Sequence, residues 1–279
     1  MRRSGGKTRG EGVARPTARP AASGSCGARW DGYGSPVRHS SPRRAATLGR
    51  SIRLFRLFLV EQTRPADFYS ALAADAVRQL AEWVALPGAR VLDVGGGPGY
   101  FGRAFQQAGA TYIGVELDIA TDLPAEIVAL CGSGEALPIR SQSVDVAYSS
   151  NVAEHLRRPW VMAEELLRVT KPGGTVFLSF TPWLSPWGGH ETAPWHYLGG
   201  GYARRRYLRR TGRQPKNVFG ESLFDHRVSQ ALAWARSRPD AELVAAFPRY
   251  HPWWACWLIR VPALREVVLW NLAMVLRKR

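Results

Sequence analysis

Residues 91–101 read Val91-Leu-Asp93-Val-Gly95-Gly-Gly97-Pro-Gly99-Tyr-Phe101. The apolar start of this stretch is typical of a buried strand, and the glycines that follow predict a tight turn. After the turn, apolar residues recur at the spacing of one helix face: Phe101, Ala104, Phe105 and Ala108. Strand, glycine turn and helix in this order predict a turn at the carboxyl edge of a parallel sheet, where ligands of open α/β sheets bind.

Two acidic residues accompany the turn. Asp93 lies in the predicted strand before the glycines, and Glu116 ends a second predicted strand, 111–116. Glycine lets a ligand approach the backbone closely, and the free N–H groups at the start of the next helix attract a carboxylate. A carboxylate at position 116 can accept both hydrogen bonds of a ribose diol. The pattern therefore predicts a site for S-adenosylmethionine, which carries a ribose and a carboxylate.

The same glycines also match a second pattern. Gly97-Pro-Gly99-Tyr-Phe-Gly102 fits the G-x-G-x-x-G sequence of dinucleotide sites. That register moves the turn two residues into the helix, leaves only 14 residues from Gly102 to Glu116, and gives Asp93 no role. We therefore prefer the first register, and an NAD(P)-dependent oxidoreductase is the alternative function.

Strands and helices alternate along most of the chain. Further strands are predicted at 126–131, 144–149, 174–180, 241–247 and 270–276, with helices before the glycine turn and between the fourth and fifth strands. Such alternation implies right-handed crossovers and a mostly parallel sheet covered on both faces. Between 181 and 239 the pattern changes to Trp, Pro, Gly, His and Arg, and there we predict a substrate cap inserted in the domain.

The first 50 residues differ from the rest in composition. They hold eleven Arg and Lys against two acids in a chain of net charge +16, with few aliphatic residues. This predicts a disordered basic extension over 1–50 and one domain over 51–279. No signal peptide, membrane span or disulfide framework is predicted, because long apolar runs are absent and the three cysteines lie far apart. We expect a cytoplasmic protein.

Several motifs resemble the class I S-adenosylmethionine-dependent methyltransferases of the menaquinone/ubiquinone-methyltransferase-like group and, from about Ala45 onward, uncharacterised actinobacterial members. They are residues 91–101, Gly114-Val-Glu116, Gly134-Glu-Ala-Leu-Pro138, Val144-Asp145, Ser149-Ser-Asn-Val-Ala-Glu-His155 and Leu167-Arg-Val-Thr-Lys-Pro-Gly-Gly174. The resemblance implies an α/β, Rossmann-like fold with a mostly parallel seven-stranded sheet, an antiparallel last strand, and helices on both faces. It also implies transfer of a methyl group from S-adenosylmethionine to a small-molecule or lipid-like acceptor.

The resemblance also assigns residues to the cofactor. Those assigned are Asp93, Gly95, Gly97, Gly99, Glu116, Ser133, Glu135, Ala136, Ser150 and Asn151. Asp93 and the glycines would hold the methionine end, Glu116 the ribose, and the segment from Ser133 the adenine edge. The family usually has Asp where this chain has Ser133, so the contact to the adenine N6 group stays open.

Methyl transfer is an in-line displacement that depends on alignment and exclusion of water more than on a catalytic group. For a hydroxyl acceptor a base is useful, and His155 and His190 are the catalytic candidates, with Glu191 and His196 behind them. Packing or capping roles are the alternative for these histidines. No metal site is predicted, since the sequence from His190 to Pro194 lacks the second His of H-E-x-x-H.

Two further clusters concern the partners. One face of a predicted helix carries Arg205, Arg206, Arg209, Arg210 and Arg213, which suits phosphate-bearing partners or plain solvent exposure. The aromatic segment 249–259 predicts core packing, and peripheral membrane association is the alternative that would suit a lipid-like acceptor. Nucleic-acid binding is a third functional class, which we do not expect, because no RNA-binding motif accompanies the charge.

Overall fold

A computed structural model describes residues 46–279 of the chain. Residues 1–45, which make up most of the predicted disordered extension, lie outside this range. The last residues of the predicted extension are ordered, because the first helix, α1 (Leu48–Leu59), begins before residue 51. The first described helix thus begins three residues before the predicted boundary at residue 51.

Seven strands of the described chain form one sheet. They are β1 (Arg90–Val94), β2 (Thr111–Glu116), β3 (Ala129–Cys131), β4 (Val144–Ser150), β5 (Thr170–Phe180), β6 (Ala241–Pro248) and β7 (Leu272–Lys278). Their spatial order is β3-β2-β1-β4-β5-β7-β6. β7 runs antiparallel to both of its neighbours, and the other pairs are parallel. The predicted mostly parallel sheet with an antiparallel last strand is confirmed.

Helices cover both faces of this sheet. After α1 they are α2 (Pro65–Leu80), α3 (Tyr100–Gln107), α4 (Pro159–Val169), α5 (Gly200–Thr211), α6 (Val228–Arg236) and α7 (Pro262–Val268). Residues of α2 and α3 pack in one apolar cluster and residues of α4 and α6 in the other. Successive side chains of a strand point to opposite faces, so Val91 joins the first cluster and Leu92 the second. Burial on both faces explains the apolar residues of β1 at positions 91, 92 and 94.

The predicted cap range, 181–239, includes a helix that belongs to the layered fold. Val228, Ala231, Leu232 and Ala235 of α6 are fully buried or nearly so in the core. Before α6, the amide of Trp183 donates to the carbonyl of His226 over 3.0 Å. The two ends of the segment between these residues therefore lie side by side. We therefore propose residues 181–226 as the cap. α5 lies within it and exposes Arg205, Arg209 and Arg210.

No helix within residues 46–279 combines the length and the apolar character that crossing a lipid bilayer requires.

A buried ion pair joins α1 to α2. The Arg50 guanidinium donates two hydrogen bonds, of 2.8 and 2.6 Å, to the two carboxylate oxygens of Asp75. The Asp75 side chain is fully buried, and that of Arg50 is 8% exposed. Two parallel charge-assisted hydrogen bonds fix the orientation of both side chains. The pair therefore sets the position of α1 on the domain.

Replacing Arg50 by alanine is expected to destabilise the protein by about 3 kcal/mol, because the buried Asp75 carboxylate loses both short hydrogen bonds and keeps only the exposed Arg78, at 3.4 Å. Urea unfolding followed by circular dichroism measures this loss. Arg103→Ala is the matched control, since it removes an exposed partner of Glu126 and should cost less than about 1 kcal/mol. Equal stabilities of the two variants would show that the buried pair does not hold α1.

Candidate active site

The glycine turn connects β1 to α3 as the preferred register predicts. Gly95, Gly97 and Gly99 have φ angles of +79°, +67° and +90°, a region that favours glycine. A Cβ on Gly96 would lie 2.3 Å from an oxygen of Asp93, whereas one on Gly97 would meet no atom within 4 Å. The turn is thus packed tightly against Asp93 on one side and open on the other, where a ligand can approach its backbone.

Asp93 is almost completely buried below the turn. Its Oδ2 accepts a hydrogen bond of 3.1 Å from the Tyr112 hydroxyl. Burial, and to a smaller extent the negative charge of Glu116, raises the pKa of Asp93 to about 8, although Tyr112 and the positive charge of Arg249 act in the opposite direction. Within residues 46–279 this carboxyl forms no ion pair. A cationic ligand beside it would favour the ionised form.

Glu116 stands at the carboxyl end of β2, half-buried, on the other side of the turn. Its Oε1 accepts a hydrogen bond of 2.9 Å from the amide of Gly97. Burial raises the pKa of Glu116, while backbone hydrogen bonds from Gly97 and Gly96 oppose the shift. Two acids, one buried and one at the rim, therefore flank the glycine turn.

A cavity of about 720 Å³ opens at this edge of the sheet. Seven of the predicted residues line it: Gly95, Gly97, Ser150, Asn151, His155, His190 and the further candidate Glu191. The other predicted cofactor residues stand outside its wall: Asp93, Gly99, Glu116, Ser133, Glu135 and Ala136. The volume lies in the range usual for small-molecule sites.

The segment predicted to border the adenine follows β3, which pairs with β2 so that Cys131 lies opposite Glu116. It forms a tight turn in which the Ala136 amide donates to the Ser133 carbonyl over 3.0 Å. The carboxylate of Glu135 is held by Arg158 at 2.6 Å. Because β3 is parallel to β2, this turn lies at the same edge of the sheet as Glu116.

Aromatic side chains form a large part of the cavity wall. They are Phe55, Phe58, Phe68, Tyr69, Tyr100, Phe101, Trp187, Tyr250 and Trp270. Phe58 packs edge-to-face on Trp187 with ring centroids 5.1 Å apart, and Phe55 lies 5.2 Å from Trp270. Our reading of the sequence missed α1, although Ser51, Leu54, Phe55 and Phe58 recur at helical spacing and could have revealed this face.

The polar end of the cavity holds the histidine candidates. The rings of His155 and His190 lie 5.2 Å apart, centroid to centroid. Beside them, Glu154 is almost fully buried, and its Oε1 accepts a hydrogen bond of 3.1 Å from the amide of Thr181. Glu154 was not among the predicted site residues, because nothing in its local sequence points towards position 190.

His196 does not share this location. It is buried, its Nε2 lies 3.0 Å from the carbonyl oxygen of Ser185, and its ring packs against Trp183. It does not line the cavity. These contacts favour the packing alternative for His196 over a role as a base.

Arg249 is a second residue that the sequence did not assign to the site. It is fully buried and donates to the hydroxyls of Tyr148, at 2.9 Å, and Ser179, at 2.7 Å. It also donates to Ser150, which lines the cavity. Arg249 therefore fixes Ser150 from below and supplies positive charge near Asp93.

Comparison with known proteins identifies the family. Residues 92–178 match a family described as a methyltransferase domain. An uncharacterised methyltransferase from Mycobacteroides abscessus is 51% identical over 255 residues, which cover 84% of this chain and 96% of the relative. One from Mycolicibacterium gilvum is 50% identical over 250 residues, covering 83% and 95%.

The crystal structure of an S-adenosylmethionine-dependent methyltransferase from Mesorhizobium loti superposes with a TM-score of 0.52 at 19% identity. It covers 74% of this chain and 98% of that one, and at this identity the likeness concerns the fold. The chain therefore belongs to the methyltransferase family of its mycobacterial relatives and has the class I, Rossmann-like fold of S-adenosylmethionine-dependent methyltransferases.

Proposed function

We propose that this protein transfers the methyl group of S-adenosylmethionine to a hydroxyl oxygen of a small, lipid-like acceptor. The observation that carries the proposal is the cavity itself. The glycine turn forms one part of its wall, aromatic rings form another, and Glu154, His155 and His190 form a polar end. This arrangement suits an acceptor with an apolar body and one polar group.

The residues around the turn fit the cofactor. S-adenosylmethionine supplies an electrophilic methyl group on a positively charged sulfur. Asp93 and Glu116 lack ion-pair partners in the described chain, and burial disfavours their ionised forms. A cationic ligand relieves this cost. We propose that Asp93 and the turn hold the methionine end, that Glu116 binds the ribose hydroxyls, and that Ser133 to Ala136 border the adenine.

The acceptor side follows from the cavity wall. The aromatic rings exclude water and align an apolar molecule with the glycine turn. The acceptor oxygen forms its bond to the methyl carbon as the carbon–sulfur bond breaks, and that electron pair stays on sulfur. We propose that His155 and His190 act on the acceptor oxygen, either directly as a general base or through a bound cation.

A peripheral membrane contact is proposed from the 3₁₀ segment Trp253–Arg260. Trp253, Trp254 and Trp257 are 43%, 55% and 52% exposed. The core packing predicted for this segment was wrong for these three residues, because the buried side of the segment consists of Ala255, Cys256, Leu258 and Ile259. Tryptophan prefers the interface between lipid headgroups and chains. We call these three residues the tryptophan surface.

The start of α1 lies next to the tryptophan surface. The Trp253 amide donates to the carbonyl of Ala46 over 2.8 Å, which places the start of α1 beside this surface. α1 exposes Ile52, Arg53 and Arg56, and arginine attracts anionic headgroups. The opposite side of α1 lines the cavity, so a lipid-like acceptor would have a short path from a membrane to the site.

The wild-type protein is expected to bind S-adenosylmethionine more tightly than NAD(P) in calorimetry. It is also expected to transfer labelled methyl groups into the lipid fraction of an extract from cells that lack the gene.

Glu116→Gln should weaken S-adenosylmethionine binding by about 10–100-fold, since hydrogen bonds to a charged acceptor contribute about 1.5–3 kcal/mol. Glu242→Gln, on the exposed side of β6, is the control with the same chemical change. Tighter binding of the dinucleotide would refute the cofactor, and equal affinity of the two variants for S-adenosylmethionine would refute the role of Glu116.

Asp93→Asn is expected to stabilise the ligand-free protein while weakening S-adenosylmethionine binding. The folded-state pKa of Asp93, about 8, lies above the ordinary value of 3.8, so folding holds a proton that the unfolded chain releases. Stability contributed by this group is present at low pH and is lost as pH rises to about 8. Scanning fluorimetry should show a gain in Tm that is clearly larger at pH 8 than at pH 5, because the raised pKa lowers stability progressively above the ordinary value of the carboxyl. A gain in Tm that becomes smaller as the pH rises would contradict this prediction.

Replacing Trp254 and Trp257 together by serine should reduce binding to phosphatidylglycerol vesicles by about tenfold or more, since each ring contributes on the order of 1 kcal/mol of apolar burial. Co-sedimentation measures the bound fraction, with phosphatidylcholine vesicles as the weaker-binding comparison. Trp195→Ser, which removes an exposed tryptophan from the cap, is the control. If the wild-type protein and the Trp195→Ser control are dimers and the double variant is a monomer, the tryptophan surface is instead a protein interface.

A further inference from the structure

Glu154, His155 and His190 come together at the polar end of the cavity from two separate segments. Glu154 and His155 belong to the 3₁₀ turn Ala153–His155 after β4, and His190 begins another 3₁₀ turn, His190–Thr192, after β5. Each of the three offers one ligand atom, and these atoms all lie within 4.8 Å of one another. Two imidazoles and one carboxylate therefore converge on one point of the cavity wall.

Both imidazoles have one ring nitrogen engaged with the backbone. Nδ1 of His155 lies 2.8 Å from the carbonyl oxygen of Ser222, and Nδ1 of His190 lies 3.4 Å from that of Gly188. A carbonyl oxygen can only accept, so the proton is on Nδ1 and the lone pair is on Nε2 in each ring. Histidines that bind metal ions are usually oriented by this kind of contact.

Glu154 has a carboxylate oxygen without a donor. The residue is 1% exposed, and while its Oε1 accepts from Thr181, its Oε2 is buried and has no hydrogen-bond partner in the described chain. Leaving such an oxygen unpaired is costly, so a cation at this point would satisfy it. Glu191, next to His190, also has a buried oxygen without a partner, and Lys216 lines the same cavity.

We infer that Glu154, His155 and His190 bind a divalent transition-metal ion. Two imidazole nitrogens and one carboxylate oxygen suit Zn²⁺ or Fe²⁺, and three protein ligands leave coordination positions open, as in catalytic sites. The sequence alone predicts no such site, because His190 has no histidine partner at the H-E-x-x-H spacing. The second histidine of the site is His155, which lies 35 residues before His190 in the chain.

The ion would deepen the proposed function. Its open positions would face the cavity, and a hydroxyl that reaches it would have a lowered pKa, which makes the oxygen a better nucleophile. The hydroxyl proton would pass to solvent, and the oxygen would then form the bond to the methyl carbon. This use of the ion rests on the proposed function, whereas binding of the ion does not.

The full chain, freed of any affinity tag and stripped with a chelator, should bind about one Zn²⁺ or Co²⁺ ion in calorimetry. Cobalt should also give visible absorption bands, which report on the ligands directly. Glu154→Gln, His155→Ala and His190→Ala should each weaken binding by at least about tenfold. His226→Gln, a histidine whose Nε2 lies 2.7 Å from the carbonyl oxygen of Leu156 and which does not line the cavity, is the matched control.

Binding of S-adenosylmethionine, measured on the same samples, separates the two proposals. A variant that keeps wild-type affinity for the cofactor is folded, so its loss of metal is specific. Wild-type protein that binds the cofactor but neither ion would overturn the metal site, and would favour neutralisation of Glu154 by Lys216. Unchanged metal affinity in all three variants would also overturn it. Wild-type protein that binds the ion but not the cofactor would refute the proposed function alone.

Discussion

Two carboxylates held close to a glycine turn, with no ion-pair partner among residues 46–279, are the constraint on which the site depends. Asp93 lies beneath the turn and Glu116 beside it, and burial raises the pKa of both. The folded chain tolerates this cost because the strands around them are buried on both faces and because Tyr112 and the turn amides donate to them. The two buried acids thus lower the stability of the folded protein and at the same time form a place where a cationic ligand can bind.

The sheet explains why this arrangement is rigid. β1 lies between β2 and β4, so the turn after it is flanked by the carboxyl ends of both neighbours. Two buried arginines hold parts of the cavity that lie outside the central strands. Arg249 holds Ser150 at the cavity, and the ion pair of Arg50 with Asp75 holds α1, which forms a wall of the cavity.

The two sides of the cavity have different origins. The proposed cofactor side comes from the glycine turn after β1 and from the end of β4. The proposed acceptor side comes from α1, from the proposed cap and from residues 250 and 270, which are distant in sequence. Relatives near 50% identity match nearly their whole length to this chain, so the family relation extends well beyond residues 92–178.

The sequence by itself determined the strand order along the chain, the register of the glycine turn and the two acids beside it. It could do so because a strand, a turn and a helix leave local patterns of apolar residues and glycine. Only the tertiary structure decided which distant side chains meet. It brought Glu154 and His155 to His190, placed Arg249 under Ser150, and left Trp254 and Trp257 exposed where the sequence predicted core packing. Contacts and exposure of this kind depend on how remote segments pack, and periodicity within one segment carries no record of that.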